Sequence, residues 1–426
     1  MQIYVVEPGD TISEIAQEFD ISSEVLIGSN EIPNPENLVV GQTIVIPIWG
    51  SYYFVEEGDT IESISQELGV PASQLIRLNQ IDPEMLQVGT RLYIPQMPRV
   101  TKEIGAYLDP DITGERTVEE IERVEDGLTY LNLFSYHINA DGSLTSLEDE
   151  DALRVARENE LFPLMVITNI EEGQFSQELI TTVLADEVLQ NVLLDEIVDI
   201  MVEKGYLGVD FDFEYLGAEN RERYNEFLRK AVNRLGSLGY SVSTALAPKY
   251  FEEQEGILYE GHDYEAHGDI VDFIFFMTYE WGWSGGPPRP VSPIDQVERV
   301  MDYALTVVPR EKIMMGIPLY GYDWTLPYVE GGKFARAISS QQAIELAAEY
   351  NAEIQYDEEA QTPFFDYADE NGEAHIVWFE DARSIQAKFN LVKNLGIRGL
   401  YYWVLGRDFP QNWLLIEENF LVRKRV

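Results

Sequence analysis

Apolar positions along the 426 residues fall into two regimes. Up to about residue 95, short alternating stretches bracket segments with helical spacing. In the first of these, Ile12, Ile15, Ala16 and Phe19 line one face of a predicted helix, and Ile44 and Ile46 alternate in a predicted strand that stops at Pro47. Past residue 100, near-continuous apolar runs alternate with amphipathic segments. The runs are IGAYL from Ile104, LTYLNLFSYHI from Leu128, FPLMVIT from Phe162, LGVDFDFEY from Leu207, YSVSTALAP from Tyr240, IVDFIFFMTY from Ile270, KIMMGIPLYG from Lys312 and GLYYWVLG from Gly399. Eight apolar strands separated by helices imply a parallel sheet covered on both faces, and eight in one domain predict a (β/α)8 barrel. The long gap after the seventh run, about 322–378, holds a helix-like SQQAIELAAEYNA and short strand-like pieces, and reads as a small α+β insertion. The predicted fold class is therefore α/β, a TIM barrel over 99–426.

The first regime is an internal repeat. YVVEPGDTISEIAQEF at Tyr4 to Phe19 recurs as YFVEEGDTIESISQEL at Tyr53 to Leu68, and LVVGQTIVIP at Leu38 to Pro47 pairs with LQVGTRLYIP at Leu86 to Pro95. Each copy, 2–48 and 51–97, reads as strand, helix, helix, strand, with Asp10 or Thr11 (Asp59 or Thr60) able to cap the first helix. The order of strand entry, Gly-Asp-Thr corner, Asn30 or Asn79, and Gly-hydrophobic-Ile-Pro exit resembles the lysin motif, a βααβ module that binds N-acetylglucosamine-containing glycans. The resemblance implies glycan contact at Gly9, Asp10, Thr11 and Ile12 with Pro33 to Leu38, and at Gly58, Asp59, Thr60 and Ile61 with Asp82 to Leu86.

Composition is ordinary for a globular chain, with 45% apolar and 25% charged residues. No run of 18 or more apolar residues occurs, so no membrane helix is expected, and the opening MQIYVVEPGDTI has no secretory signal pattern. Cysteine is absent, which removes thiolate chemistry and thiolate metal sites. The formal charge of −47 repels phosphate backbones and anionic lipid, so nucleic-acid and membrane partners are not expected. The acid surplus reads as a solvated surface, and the basic tail RKRV at Arg423 as a solvated end. Through Pro95 the modules carry 15 acids against Arg77 and Arg91, so docking on an anionic glycan is expected to strengthen with salt.

The fourth run ends Asp210-Phe211-Asp212-Phe213-Glu214. At period two the three carboxylates share one side and the two phenylalanines the other. With the aromatics under the helices, the acids face the barrel interior at a strand end, where barrel chemistry is sited. Three inward carboxylates are costly unless they share protons and take part in a reaction. His137, His262, His267 and His375 are dispersed without zinc spacing, NADGS at Asn139 is a turn, and neither a phosphate loop nor a Gly-x-Ser-x-Gly elbow occurs. No metal or cofactor is expected.

The strand resembles the Asp-x-x-Asp-x-Asp-x-Glu signature of glycoside hydrolase family 18, the chitinase-like barrels. Met277-Thr278-Tyr279 at the sixth run, GIPLYG at the seventh and Trp403 in the last extend it over Arg99 to Val426. The resemblance implies Glu214 as general acid, Asp212 as the group orienting the substrate's 2-acetamido arm, Asp210 as its proton-sharing neighbour and Tyr279 as a stabilising hydroxyl. It also implies Trp403 as the floor under the −1 sugar, with Tyr107 and Glu280 as walls and Asn169, Lys249 and Trp281 as further substrate contacts. Leu207 replaces the signature's first Asp, Glu280 stands where chitinases have Asp, and Tyr322 where they often have Arg. Paired lysin motifs, the strings Ala245 to Lys249 and Met277 to Gly282, and VWFEDARS from Val377 resemble more narrowly the spore cortex-lytic N-acetylglucosaminidases of endospore formers. The implied partner is peptidoglycan of the spore cortex or cell wall. The alternatives are a chitin-oligosaccharide hydrolase and a non-catalytic glycan-binding coat protein; oligomeric state is open.

Overall fold

The computed structural model describes residues 1–82, 86–96 and 98–425. The first module comprises β1 (Gln2–Val5), α1 (Ile12–Glu18), α2 (Ser23–Asn30) and β2 (Thr43–Ile46), with Tyr4 opposite Ile44 in an antiparallel pair. The second repeats it as β3 (Ser51–Phe54), α3 (Ile61–Leu68), α4 (Ala72–Asn79) and β4 (Arg91–Ile94). Thr11 caps α1 by accepting from Glu14 N, and Thr60 with Ser63 forms a capping box on α3. The repeated asparagine is a staple. Asn30 donates to the Val45 carbonyl at 2.8 Å and accepts from Val45 N at 2.7 Å, and Asn79 grips Tyr93 in the same way. Each ties the second helix to the closing strand, which lets a module with so small a core hold its shape.

The barrel is closed. Its strands are β5 (Val100–Leu108), β6 (Tyr130–His137), β7 (Phe162–Thr168), β8 (Gly208–Asp212), β9 (Ser241–Leu246), β10 (Phe273–Phe276), β11 (Ile313–Pro318) and β12 (Gly399–Trp403), all parallel, with β12 returning to β5 through Tyr401 opposite Gly105. Tyr107, Tyr130, Phe273, Phe275 and Tyr401 fill the interior. Gly105 is required there, because a Cβ would lie 2.2 Å from the Tyr401 ring. An antiparallel five-stranded sheet with helix Ser340–Glu349 is inserted between β11 and β12, from Tyr320 to Trp378.

The first module is built into this body. Val39 is buried in the insertion's core with Ile338, Ile344, Ile354 and Phe365, and Val45 joins the main core. Gln411, on helix Pro410–Asn419, donates to Asn30 Oδ1 and to the Thr43 carbonyl. The second module keeps a core of its own, packs Tyr52 and Phe54 against Phe19 of the first, and adds peripheral bonds such as Gln96 to Glu418 and Arg91 to the Glu18 carbonyl. The tail is not a solvated end: Phe420–Val422 pairs with Val100–Lys102, and Arg423 and Arg425 bond to the buried Glu103. Beyond the barrel, the Val100–Lys102 start of β5 is thereby given a partner strand.

Candidate active site

β8 lies between β7 and β9, with Asp210 opposite Val166 and Ser243. Phe211 and Phe213 pack outward on Phe227 and Tyr224 of helix Arg221–Gly236, ring centroids 5.3 and 5.2 Å apart, which leaves Asp210 and Asp212 on the interior face. Asp210 is fully buried and takes three bonds, from Ser243 Oγ at 2.6 Å, Tyr107 OH at 2.5 Å and Asn132 Nδ2 at 3.2 Å. Asn132 is oriented in turn by the Tyr401 hydroxyl at 2.7 Å. Burial raises the Asp210 carboxyl, and these donors pull it back.

Asp212 is different. Its buried Oδ1 has no hydrogen-bond partner among the described residues. Burial, then the neighbouring Glu214 and Asp210, hold its carboxyl well above the usual carboxylate range. Glu214, just past the strand end, is pushed up to about 7 by burial and by the like charge of Glu280. Glu280 accepts from the Tyr320 and Tyr322 hydroxyls on one carboxylate oxygen and sits at φ +68, a backbone region unfavourable for a residue with a side chain. Among the described residues no cation pairs with it. Tyr279 is buried, and burial followed by Asp212 and Glu214 keeps its hydroxyl protonated. A cavity of about 160 Å³ opens over these groups, lined by Glu214, Tyr279, Glu280 and Trp281 together with Tyr250 and Tyr259.

Glu214, Tyr279, Glu280 and Trp281 therefore share one cleft, and Trp403 stands at the end of β12 against Tyr107 and Phe134. Three expected substrate contacts lie elsewhere. Tyr107 is 1% exposed and spends its hydroxyl on Asp210 below the floor. Lys249 is 0% exposed and donates to the His262 carbonyl, because its ammonium is needed by the loop after β9. Asn169 is buried and clamps the Glu214 main chain. In the modules Ile12 and Ile61 are buried in their cores, whereas Thr11 and Thr60 are exposed. Asp10 accepts from Glu7 N and Tyr4 OH, and Asp59 from Glu56 N and Tyr53 OH, so both shape the corner. Gly9 and Gly58, at φ +98 and +97, make that corner possible. Pro33 to Leu38 is mostly exposed; of the matching segment, residues 83–85 lie outside the described residues.

Several residues of the site were missed by sequence reasoning. Asn132, Ser243 and Tyr401 are inward strand positions next to Asp210, a signal that period-two counting on neighbouring strands carries. Tyr250, Tyr259 and Tyr320 carry no such signal. His262 joins two strand ends: its Nδ1 accepts from Ala247 N at 3.0 Å and its Nε2 donates to the Phe213 carbonyl at 2.9 Å. Burial holds this imidazole down to about 4, so it is neutral. Asp369, Glu373 and His375 come within 4.8 Å in the insertion, a grouping that the dispersed sequence positions hid. There Asp369 accepts from Asn371 N and Glu373 N as a turn, and His375 pairs with Asp323.

Known proteins resemble the chain over its whole length. The LysM domain pattern matches residues 4–47 and 53–95. The cortical fragment-lytic enzyme of Bacillus subtilis is 51% identical over 100% of both chains. The crystal structure of the Bacillus megaterium spore cortex-lytic enzyme SleL superposes with a TM-score of 0.92 at 46% identity, over 100% of this chain and 99% of that one. A chitinase from Chromobacterium violaceum, at 24% identity and a TM-score of 0.68 over 75% of this chain and 98% of its own, shares the fold. The pattern of glycosyl hydrolases family 18 matches residues 104–408, and the chain belongs to that family.

Proposed function

We propose that the chain hydrolyses β-1,4 bonds on the N-acetylglucosaminyl side of spore-cortex peptidoglycan, with the two lysin motif modules holding the enzyme on the glycan and so at the spore. The observation that carries this reading is the buried, unpartnered Oδ1 of Asp212 beside Glu214, whose carboxyl is pushed up to about 7. An acetamido N–H supplies the missing donor, so a 2-acetamido sugar satisfies a site that is costly when empty. Full-length similarity to the cortical fragment-lytic enzyme supports cortex over chitin as the polymer.

Glu214 protonates the glycosidic oxygen as general acid. Asp212 holds the acetamido group so that its carbonyl oxygen attacks the anomeric carbon, the substrate-assisted route in place of a second protein carboxylate. The resulting oxazolinium is cationic, and Asp212, accepting from its N–H, stabilises it, while the Tyr279 hydroxyl positions the acetamido arm for the attack. Glu214, now ionised, takes a proton from the incoming water, and configuration is retained. Trp403 forms an apolar floor, and Glu280 with Trp281 forms the wall.

Mass spectrometry of products from cortex peptidoglycan and from colloidal chitin, with Glu214→Gln as blank, tests the reading. Fragments with N-acetylglucosamine at the reducing end, released from cortex alone and with retained configuration, are expected. Chitobiose from chitin with nothing from cortex overturns the substrate. Inversion overturns the mechanism, and silence on both polymers with intact glycan binding overturns the enzyme reading.

A further inference from the structure

The amino ends of the barrel strands, opposite Glu214, gather cations in a chain that has only 29 of them against 76 acids. Glu103 lies buried there, and three guanidinium groups converge on it. Arg398 Nε reaches one carboxylate oxygen at 2.6 Å, alongside the Tyr130 hydroxyl at 2.6 Å. Arg425 Nε at 2.8 Å and Arg423 Nη1 at 3.2 Å reach the other. One carboxylate offsets one of these charges and leaves two.

The three arginines are not equivalent. Arg398 also donates to the Asp272 and Glu311 carbonyls and to Tyr130, so each of its nitrogens is engaged. Arg423 keeps Nε and Nη2 without partners among the described residues, and Arg425 keeps Nη1. Their side chains are 54% and 35% exposed. They border a cavity of about 390 Å³ whose charged lining is Lys102, Arg398, Arg423 and Arg425 against Glu103 and Glu311. Lys102 spends one bond on the Ile397 carbonyl, itself in the cavity lining, and Lys424 one on that of Glu125, so the planar donors left facing the cavity are guanidinium N–H groups. Pinning the tail requires one such bond, and the paired strand Phe420–Val422 already does much of that task. The open Nε–Nη2 edge of Arg423 and the free Nη1 of Arg425 beside a concave surface match a planar anion with two oxygens, the geometry guanidinium recognises best.

We propose that this cavity is an anion site that takes a carboxylate between Arg423 and Arg425. The carboxylate has two possible sources, a free small acid or the acidic groups carried on a wall polymer. The site lies at the opposite end of the barrel from the cleft, so it binds without blocking catalysis, and it gives this acidic chain a local point of attraction for an acidic polymer.

The test uses the full chain, as wild type and as R423Q/R425Q, with circular dichroism melts to show that both are folded. Sodium succinate is titrated calorimetrically at fixed ionic strength, and retention on insoluble peptidoglycan is compared with retention on uncharged chitin. Succinate heat that the variant loses establishes the site with a free acid as ligand. Retention on peptidoglycan that the variant loses, with chitin retention unchanged, establishes it with polymer-borne carboxylates. Equal behaviour of the two proteins in both arms overturns it. If the double variant melts early, R423K/R425K takes its place: it keeps the charges and removes the forks, and undiminished binding there overturns the proposed clamp.

Discussion

Asn169 holds Glu214 by its main chain from both sides: Nδ2 donates to the Glu214 carbonyl at 2.9 Å while Oδ1 accepts from Glu214 N at 3.0 Å. The residue after a strand end has no ladder to fix it, and this amide replaces the ladder. The same Nδ2 also reaches the Ser176 carbonyl at 3.1 Å, so the clamp is anchored to the next loop. Asn169→Ala is expected to cost about 1–3 kcal/mol of stability, the range for unpaired buried backbone groups. It should lower kcat more than KM, with the pH profile kept, because the surroundings of the Glu214 carboxyl are unchanged. Steady-state kinetics beside a denaturant melt check this; an unaltered kcat sinks the positioning role.

Glu214 must carry a proton to act as acid, and its carboxyl sits at about 7 through burial and the Glu280 charge. Activity is therefore expected to fall as pH rises through about 7. Glu280→Gln removes a like charge that favours the protonated form, so the descending limb should move to lower pH. A limb that stays put, or moves up, contradicts the assignment. Glu214→Gln should lose about 10²–10⁴-fold in kcat with an unchanged melt.

The Tyr279 hydroxyl bonds to no described residue, so removing it costs the fold little. Tyr279→Phe is expected to cut kcat about 10²-fold, as for a reacting arm that has lost one positioning contact. KM should change much less, which a comparison of kcat and KM on soluble oligosaccharide shows directly.

Gly41 and Gly89 are equivalent positions of the two modules, at φ +84 and +81. An alanine Cβ at Gly41 would lie 1.9 Å from the Ile354 carbonyl oxygen, whereas at Gly89 it would meet nothing within 4 Å. Both substitutions carry the left-handed backbone cost of about 1–2 kcal/mol. Gly41→Ala additionally forces the first module off the insertion, so it should melt earlier than Gly89→Ala and become cleavable by protease at the junction. Equal melts would mean that the docking contributes nothing.

Much of this was legible because period two and period 3.6 survive in the chain: the eight strands, the two βααβ repeats and the one-sided carboxylates of Asp210 and Asp212 are local patterns. What stayed hidden depends on partners far away in sequence. Lys249 and Tyr107 sit at strand ends like substrate contacts, and only the fold shows their polar groups taken by His262 and Asp210. Ile12 and Ile61 belong to a corner sequence, yet they also begin a helix whose apolar face must be buried, and packing decided between the two. The tail Arg423 to Arg425 looked solvated because Glu103, its partner, lies 320 residues away.

Val39 reaching into the insertion's apolar interior makes the two glycan modules unequal as building blocks. The second keeps its own core and leans on the first from outside, through Tyr52 and Phe54 against Phe19. The first is set into the body, and its removal would open a greasy hole against Ile338 and Ile354 in the same insertion whose opening strand supplies Tyr320 and Tyr322 to Glu280. Loss of the second repeat should therefore uncover one aromatic face, whereas loss of the first should loosen the wall of the catalytic cleft.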